Sequence, residues 1–331
     1  MSRGIGPQRR ETRRTSAAVV LLLLWLGILA AMGNGLGSTA PGGATQPYIP
    51  PGGGTSDARR ADEILLSSPG QAAHPHPAGS PDRAVSRLRL ATYNIRWGLG
   101  ADGVHDLERT ARVLRAIDAD IVLLNEVDIN WRRSGNADQP AYLAAAAGYP
   151  HVYFGPALRT WASGRLGLSL YGNALLSRFP LENTRTVPLP AGPGREPRAA
   201  VLAEVELAGA TLTVLGTHLG LNRGDRLAQT ARLAALAGSQ AGPVVLMGDF
   251  NAEPEAPEVR QLLDAGLVDA FAQAGAAGSG FTFPTGDPRV RIDYVLVSPD
   301  LAPRVVAAGP LAVDASDHLP VVVDLDWPAR L

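Results

Sequence analysis

From residue 88 to 325 the chain repeats short, mostly apolar runs of strand length, and its polar residues gather where those runs begin or end. Asn94 closes 88–95, Glu126 closes 121–127 behind Asn125, and His218 closes 211–219. Asp249 and Asn251 close 244–250, where a period of two puts both on one face. Asp293 sits within 292–297, and Asp317 and His318 open 319–325. A polar side chain at the end of a buried strand is costly unless it is paired, hydrated or bound to a metal. Such ends are also where α/β folds place ligands. One residue of this kind is a cap; the same habit on six strands points to a layered α/β domain with a polar site. Further strands are expected at 173–177 and 200–207. Helices are expected at 139–147, 223–237 and 257–265, and after Asp106, where Leu107, Val113, Leu114 and Ile117 form an apolar stripe. Within 88–95, Leu88, Leu90, Thr92 and Asn94 share one face.

The residue types narrow the chemistry. The 331 residues include no cysteine, which excludes disulfides, thiolate-held zinc, iron–sulfur clusters and thiol nucleophiles. Carboxylates and amides are hard oxygen ligands, suited to magnesium, manganese or calcium. Histidines beside them can act as base, acid or phosphate donor. These are parts for metal-assisted attack of water on a phosphoester.

The net charge of -1 conceals an asymmetry. Residues 1–33 hold five arginines against Glu11, a net +4, so the remainder is mildly acidic at -5. That balance argues against tight duplex-DNA binding, which leans on cation–phosphate contacts. The arginines precede the apolar run 17–32, AAVVLLLLWLGILAAM, and small residues Ala31 and Gly33 suit cleavage after Gly33. Residues 1–33 therefore read as a signal peptide or an uncleaved anchor, placing the rest outside the cytoplasm. Residues 34–84 are rich in Gly, Pro, Ser and Ala and read as a flexible tether, with a short helical turn around 61–66. His74 and His76 within it are expected to bind nothing. Residues 85–331 are expected to form one catalytic domain.

Seven stretches carry a resemblance: TYNIRWG (92–98), LLNEVD (123–128), YGNALLSRFP (171–180), GTHLG (216–220), GDFNAEP (248–254), RIDYVLVS (291–298) and SDHLP (316–320). In this order the set resembles the endonuclease/exonuclease/phosphatase superfamily with the deoxyribonuclease I-like fold. The resemblance implies a four-layer α/β sandwich, two packed β-sheets flanked by helices, with the site at one end. It implies Glu126 as principal metal ligand beside Asn94, with Asp317 facing the metal. Asp249 and Asn251 correspond to the pair that positions the attacking water and the phosphate. His318 corresponds to the catalytic histidine, as general base, and Asp293 to its carboxylate partner. His218 corresponds to a second histidine that donates to the phosphate or the leaving group. Arg198 and Asn173 are weaker phosphate contacts, Tyr171 and Trp97 candidate pocket walls, and 131–139 and 160–171 the expected specificity loops. His105 and His151 match no motif. The superfamily commonly has glutamine where this chain has Asn125, which is expected to alter a supporting contact without removing the ligand.

The implied activity is an exported phosphoesterase using Mg²⁺, with Mn²⁺ or Ca²⁺ as substitutes, that cleaves a phosphodiester in a lipid headgroup, inositol phosphate, nucleotide or nucleic acid. The leader offers a membrane tether, and no obligate protein partner is evident. The alternatives are a secreted nuclease and, in a different class, a non-catalytic binding domain of the same fold.

Overall fold

A computed structural model describes residues 86–161 and 167–327. The expected leader 1–33, the expected tether 34–84 with its turn around 61–66 and with His74 and His76, and residues 162–166 of the second expected specificity loop lie outside the described residues.

Strand β1 (Arg87–Asn94) lies parallel to β2 (Ile121–Ile129). A parallel pair needs a crossover, supplied by α1 (Leu107–Ile117), whose first turn is capped by the Asp106 carboxylate on Arg109 N. Helix α2 (Gln139–Ala147) and the hairpin β3 (His151–Trp161) and β4 (Leu168–Ser177) follow. The chain then builds a second sheet from β5 (Glu182–Leu189), β6 (Arg198–Leu207), β7 (Ala210–His218) and β8 (Val244–Asp249). Here β7 and β8 are parallel, joined through α3 (Arg223–Gly238). Helix α4 (Pro257–Asp264), the short β9 (Val268–Asp269), α5 (Ala270–Gln273) and β10 (Asp293–Val297) complete that sheet. Strands β11 (Val305–Pro310) and β12 (Val321–Asp326) return to the first. Two six-stranded sheets result, ordered β11-β12-β1-β2-β4-β3 and β5-β6-β7-β8-β10-β9.

Strand alternation divides the apolar residues into three cores. Leu88, Leu90, Ile121 and Leu123 meet Val201, Val214, Met247 and Val295 between the sheets. Ala91, Tyr93, Val122 and Leu124 face outward onto Val113, Leu114 and Leu143 of α1 and α2. Leu202, Leu215, Leu246 and Leu296 face Leu233, Leu236, Val259 and Leu262 of α3 and α4. The architecture is therefore the expected four-layer α/β sandwich. The face of β1 that buries Leu88 and Leu90 between the sheets also carries Thr92 and Asn94, so the apolar core ends in a polar floor.

Several boundaries differ from expectation. Strand β2 does not close at Glu126 but continues to Ile129. Its register with β4 shifts between Leu124 and Val127, so Asn125 and Glu126 together oppose Asn173. This is a β-bulge, and Glu126 sits in it at φ 59°. Strand β8 ends at Asp249, leaving Asn251 beyond it at φ 49° rather than on the strand face. The last strand starts at Val321, so Asp317 and His318 lie on the loop before it. Strands β3, β5 and β11 were not foreseen. All three carry a proline and lie at or beside a sheet edge, where half-exposed side chains erase the apolar pattern.

Candidate active site

In the second sheet, register alone assembles half of the site. His218 at the end of β7 pairs with Asp249 at the end of β8, and Asp249 pairs in turn with Asp293 at the start of β10. The close fit at this end depends on Gly248, at φ 146°, where a Cβ would lie 1.9 Å from the Thr217 carbonyl oxygen. The first sheet supplies Asn94, in register with Asn125, and Glu126 on the bulge.

Side chains then close the seam between the sheets. Asn94 Nδ2 donates to Glu126 Oε1 and to Asp249 Oδ2, both at 3.0 Å. Asn94 Oδ1 accepts from Arg96 N. Asp249 Oδ1 accepts from Asn251 N, an Asx turn, while Asn251 Nδ2 is held by the Leu219 carbonyl at 2.9 Å. His318 Nδ1 meets Asp293 Oδ2 at 2.9 Å, and its Nε2 lies 3.8 Å from Asp249 Oδ2. The His318 ring leans on Phe283, with centroids 4.8 Å apart. The other oxygen of Asp293 is buried with no hydrogen-bond partner among the described residues.

The two histidines are held in opposite states. Arg198 Nη1 lies 3.0 Å from His218 Nδ1, and a guanidinium only donates, so Nδ1 is the acceptor and the proton resides on Nε2, 3.4 Å from Asp249 Oδ2. Burial and the Arg198 charge hold the His218 pKa well below its ordinary value. Burial also opposes charge on His318, but Asp293 and Asp249 outweigh it and push the ring up to about 10. Burial and the neighbouring Asp293 lift Asp249 to about 7. Glu126 is raised by burial and by the nearby Asp317 charge.

The expected residues thus meet at one end of the sandwich, with two qualifications. Both amide atoms of Asn173 are engaged by protein, accepting from Asn125 and donating to the Ala199 carbonyl. Asp317 faces Arg96, its Oδ2 3.3 Å from Nε. Arg198 pairs with Glu196 at 2.9 Å, and its buried Nε has no hydrogen-bond partner among the described residues.

Sequence reasoning undervalued Asn125. Its amide donates to Asn173 Oδ1 and to the Thr217 carbonyl, and accepts from Asp249 N, so one buried side chain ties β2 to β7 and β8. Its place beside Glu126 in LLNEVD was the available signal. Asn125→Ala would strand three buried partners and is expected to lower the unfolding free energy by ~2–4 kcal/mol, measured by urea denaturation. A loss below ~1 kcal/mol would mean that the seam is held elsewhere.

Strain concentrates here as well. Among the described non-glycine residues at positive φ, four are neither Asn nor Asp: Arg96, Trp97, Glu126 and Ala208. The first three belong to the site or its rim. Left-handed backbone at such residues costs of order 1 kcal/mol each and is kept where surrounding contacts enforce it.

The cluster also fits a cation. Asp249, Asp293 and His318 bring one potential ligand atom each within 4.8 Å of one another. A charged His318 ring already bonded to Asp293 offers no lone pair, however, so that trio suits proton transfer better. Glu126 and Asp317, two carboxylates close enough to repel, are the better oxygen donor set, and Asn94 could join them only through the Oδ1 that accepts from Arg96 N.

Comparison with known proteins agrees with this geometry. The family model described as "Endonuclease/Exonuclease/phosphatase family" matches residues 91–318. An endonuclease/exonuclease/phosphatase structure from Beutenbergia cavernae is 32% identical, with TM-score 0.60, covering 74% of this chain and 72% of that one. The uncharacterised Escherichia coli protein YbhP is 28% identical over 255 residues, 72% of this chain and 96% of YbhP. A mannosyl-6-phosphatase from Bacteroides thetaiotaomicron shares the fold at TM-score 0.60 and 18% identity, covering 72% of this chain and all of that one. Sheet order, seam geometry and a match running from β1 to His318 agree: the chain belongs to the endonuclease/exonuclease/phosphatase family of phosphoester hydrolases.

Proposed function

We propose that this protein is an exported, magnesium-dependent phosphodiesterase. The observation that carries the reading is the continuous series of contacts from Glu126 through Asn94 to Asp249, with the His318–Asp293 pair beside Asp249. A divalent ion would rest on Glu126, Asn94 and Asp317, and when bound it supplies charge neutralisation on the phosphoester and lowers the pKa of water. The export assignment rests on the leader sequence.

The protein's own groups divide the remaining work. Asp249, oriented by Asn94 and Asn251 N, accepts the proton of the attacking water at a carboxylate oxygen. In this reading the base is Asp249 rather than His318, because the two carboxylates around His318 favour its charged ring. His318 then offers an Nε2 proton and positive charge to the phosphate, with Asp293 fixing the ring through Nδ1. Neutral His218 presents its Nε2 proton to the same Asp249 oxygen, Oδ2, that His318 Nε2 approaches. Arg198, with a spare buried donor, serves a phosphate oxygen.

Purified protein is expected to hydrolyse bis-p-nitrophenyl phosphate with Mg²⁺ or Mn²⁺ and to stop in EDTA. The ion alone, at ~100 times its dissociation constant, is expected to add ~2.7 kcal/mol to stability, seen as a raised thermal midpoint. Failure to cleave this diester, nucleic acid, phospholipid and inositol phosphates alike would overturn the reading. Nicking of supercoiled plasmid in preference to the lipid and inositol substrates would favour the nuclease alternative.

A further inference from the structure

Arg133 lies on the turn after β2, within the loop expected to set specificity, and its guanidinium is enclosed by three rings. Its Cζ stands 5.3 Å from the Trp97 centroid, 5.0 Å from Trp131 and 5.4 Å from Tyr171. Its Nε and Nη2 edge is bidentate on Asp128, both contacts at 2.9 Å, and the Asp128 side chain is wholly buried. The enclosure is tied by hydrogen bonds. Ser134 Oγ donates to Asp128, Gln139 ties the Asp128 backbone to the Trp97 carbonyl, and Trp131 Nε1 donates to the Leu170 carbonyl. Among the described residues Nη1 has no hydrogen-bond partner, and the side chain keeps 21% of its surface exposed.

This group stands next to the proposed phosphate pocket. Tyr171, whose ring faces Arg133, stands on β4 opposite Asp128, two residues beyond Glu126 on β2. Glu126 is close enough to feel the Arg133 charge. An aromatic enclosure of this kind would ordinarily attract a quaternary ammonium. Here the chain's own guanidinium fills it, so the rings hold a cation in place and leave donors as the recognising group.

Resting on the phosphodiesterase reading, we infer that Arg133 is a specificity residue that selects phosphoesters carrying a second anionic group next to the scissile phosphate, and disfavours choline-type headgroups. A guanidinium held on one edge and free on the other suits a phosphate or carboxylate oxygen.

The test compares matched substrates: thymidine 5′-(p-nitrophenyl phosphate), the same ester with a 3′-phosphate, and p-nitrophenyl phosphorylcholine. Wild-type protein is expected to favour the 3′-phosphorylated ester over its parent by at least ~10-fold in kcat/KM, chiefly through KM, with the choline ester poorest. Arg133→Met is expected to bring the ratio near unity and to narrow the gap to the choline ester, while Arg133→Lys keeps part of the preference. Because Arg133→Met strands the buried Asp128, thermal scans accompany the rates. If that variant does not fold, Asp128→Asn with Arg133→Met removes the stranded charge and is scored in the same way. Hydrolysis of the nucleotide esters with a ratio unchanged by these substitutions overturns the role of Arg133 alone. No hydrolysis of any ester by the wild type overturns the phosphodiesterase reading beneath it.

Discussion

Glu126→Gln is expected to lower hydrolysis by at least ~10²-fold and, in the same protein freed of divalent ions, to raise the thermal midpoint. The two effects share a cause. Glu126 sits at φ 59° on the β2 bulge, accepts one hydrogen bond from Asn94, and faces the Asp317 charge. Without a cation that carboxylate is repelled; with one it is the centre of the donor set. Glutamine keeps the size and the Asn94 contact but removes the charge. Relief of ~1 kcal/mol corresponds to ~2–4 °C for a domain of this size. A thermal scan in EDTA, paired with rates on bis-p-nitrophenyl phosphate, reads both. A lower midpoint with a retained rate would move the cation to another set of ligands.

His318→Gln is expected to cost at least ~10²-fold in rate, the lower range for loss of a positioned proton donor. Its pH signature differs from that of Glu126→Gln. The ring's pKa rises from the ordinary 6.5 to about 10 in the folded protein, because Asp293 and Asp249 outweigh burial. A group whose pKa rises on folding stabilises fully below its unfolded value and loses that contribution as pH climbs through the folded one. The ion-free wild type should therefore lose stability between about pH 6.5 and 10, and His318→Gln should show a shallower decline over that window. Equal slopes, measured by urea denaturation across the range, would remove the charged ring from the account.

The sequence carried the central strands and the polar ends that define the site, because a buried strand must be apolar along its length and any exception is conspicuous. Asn94, His218, Asp249 and Asp293 are legible for that reason. The edge strands were not: β5 reads ENTRTVPL, whose alternation is lost where one side meets solvent. The bulge at Glu126 was also hidden. No glycine marks it, and a glutamate at positive φ is kept by tertiary contacts such as the Asn94 hydrogen bond rather than by local preference. Asp317 and Arg96 lie far apart in the chain, so their pairing appears only when the loop before β12 folds over β1. Arg133 was invisible for a related reason. Its three rings come from the turn after β1, its own loop and β4, and nothing local announces their convergence.

The pairing of β1 with β12 has a practical consequence. Arg87 lies opposite Asp326, and Trp327 N donates to the Ser86 carbonyl at 3.0 Å, so both ends of the described domain emerge side by side. They emerge at the start of β1, whereas Asn94 and the candidate site stand at its finish, roughly 23 Å away by strand rise. A support, fusion partner or bilayer joined through either terminus therefore grips the pole opposite the active centre. The domain is suited to surface immobilisation with its working face turned outward, and to circular permutation by a short link across two ends that already touch.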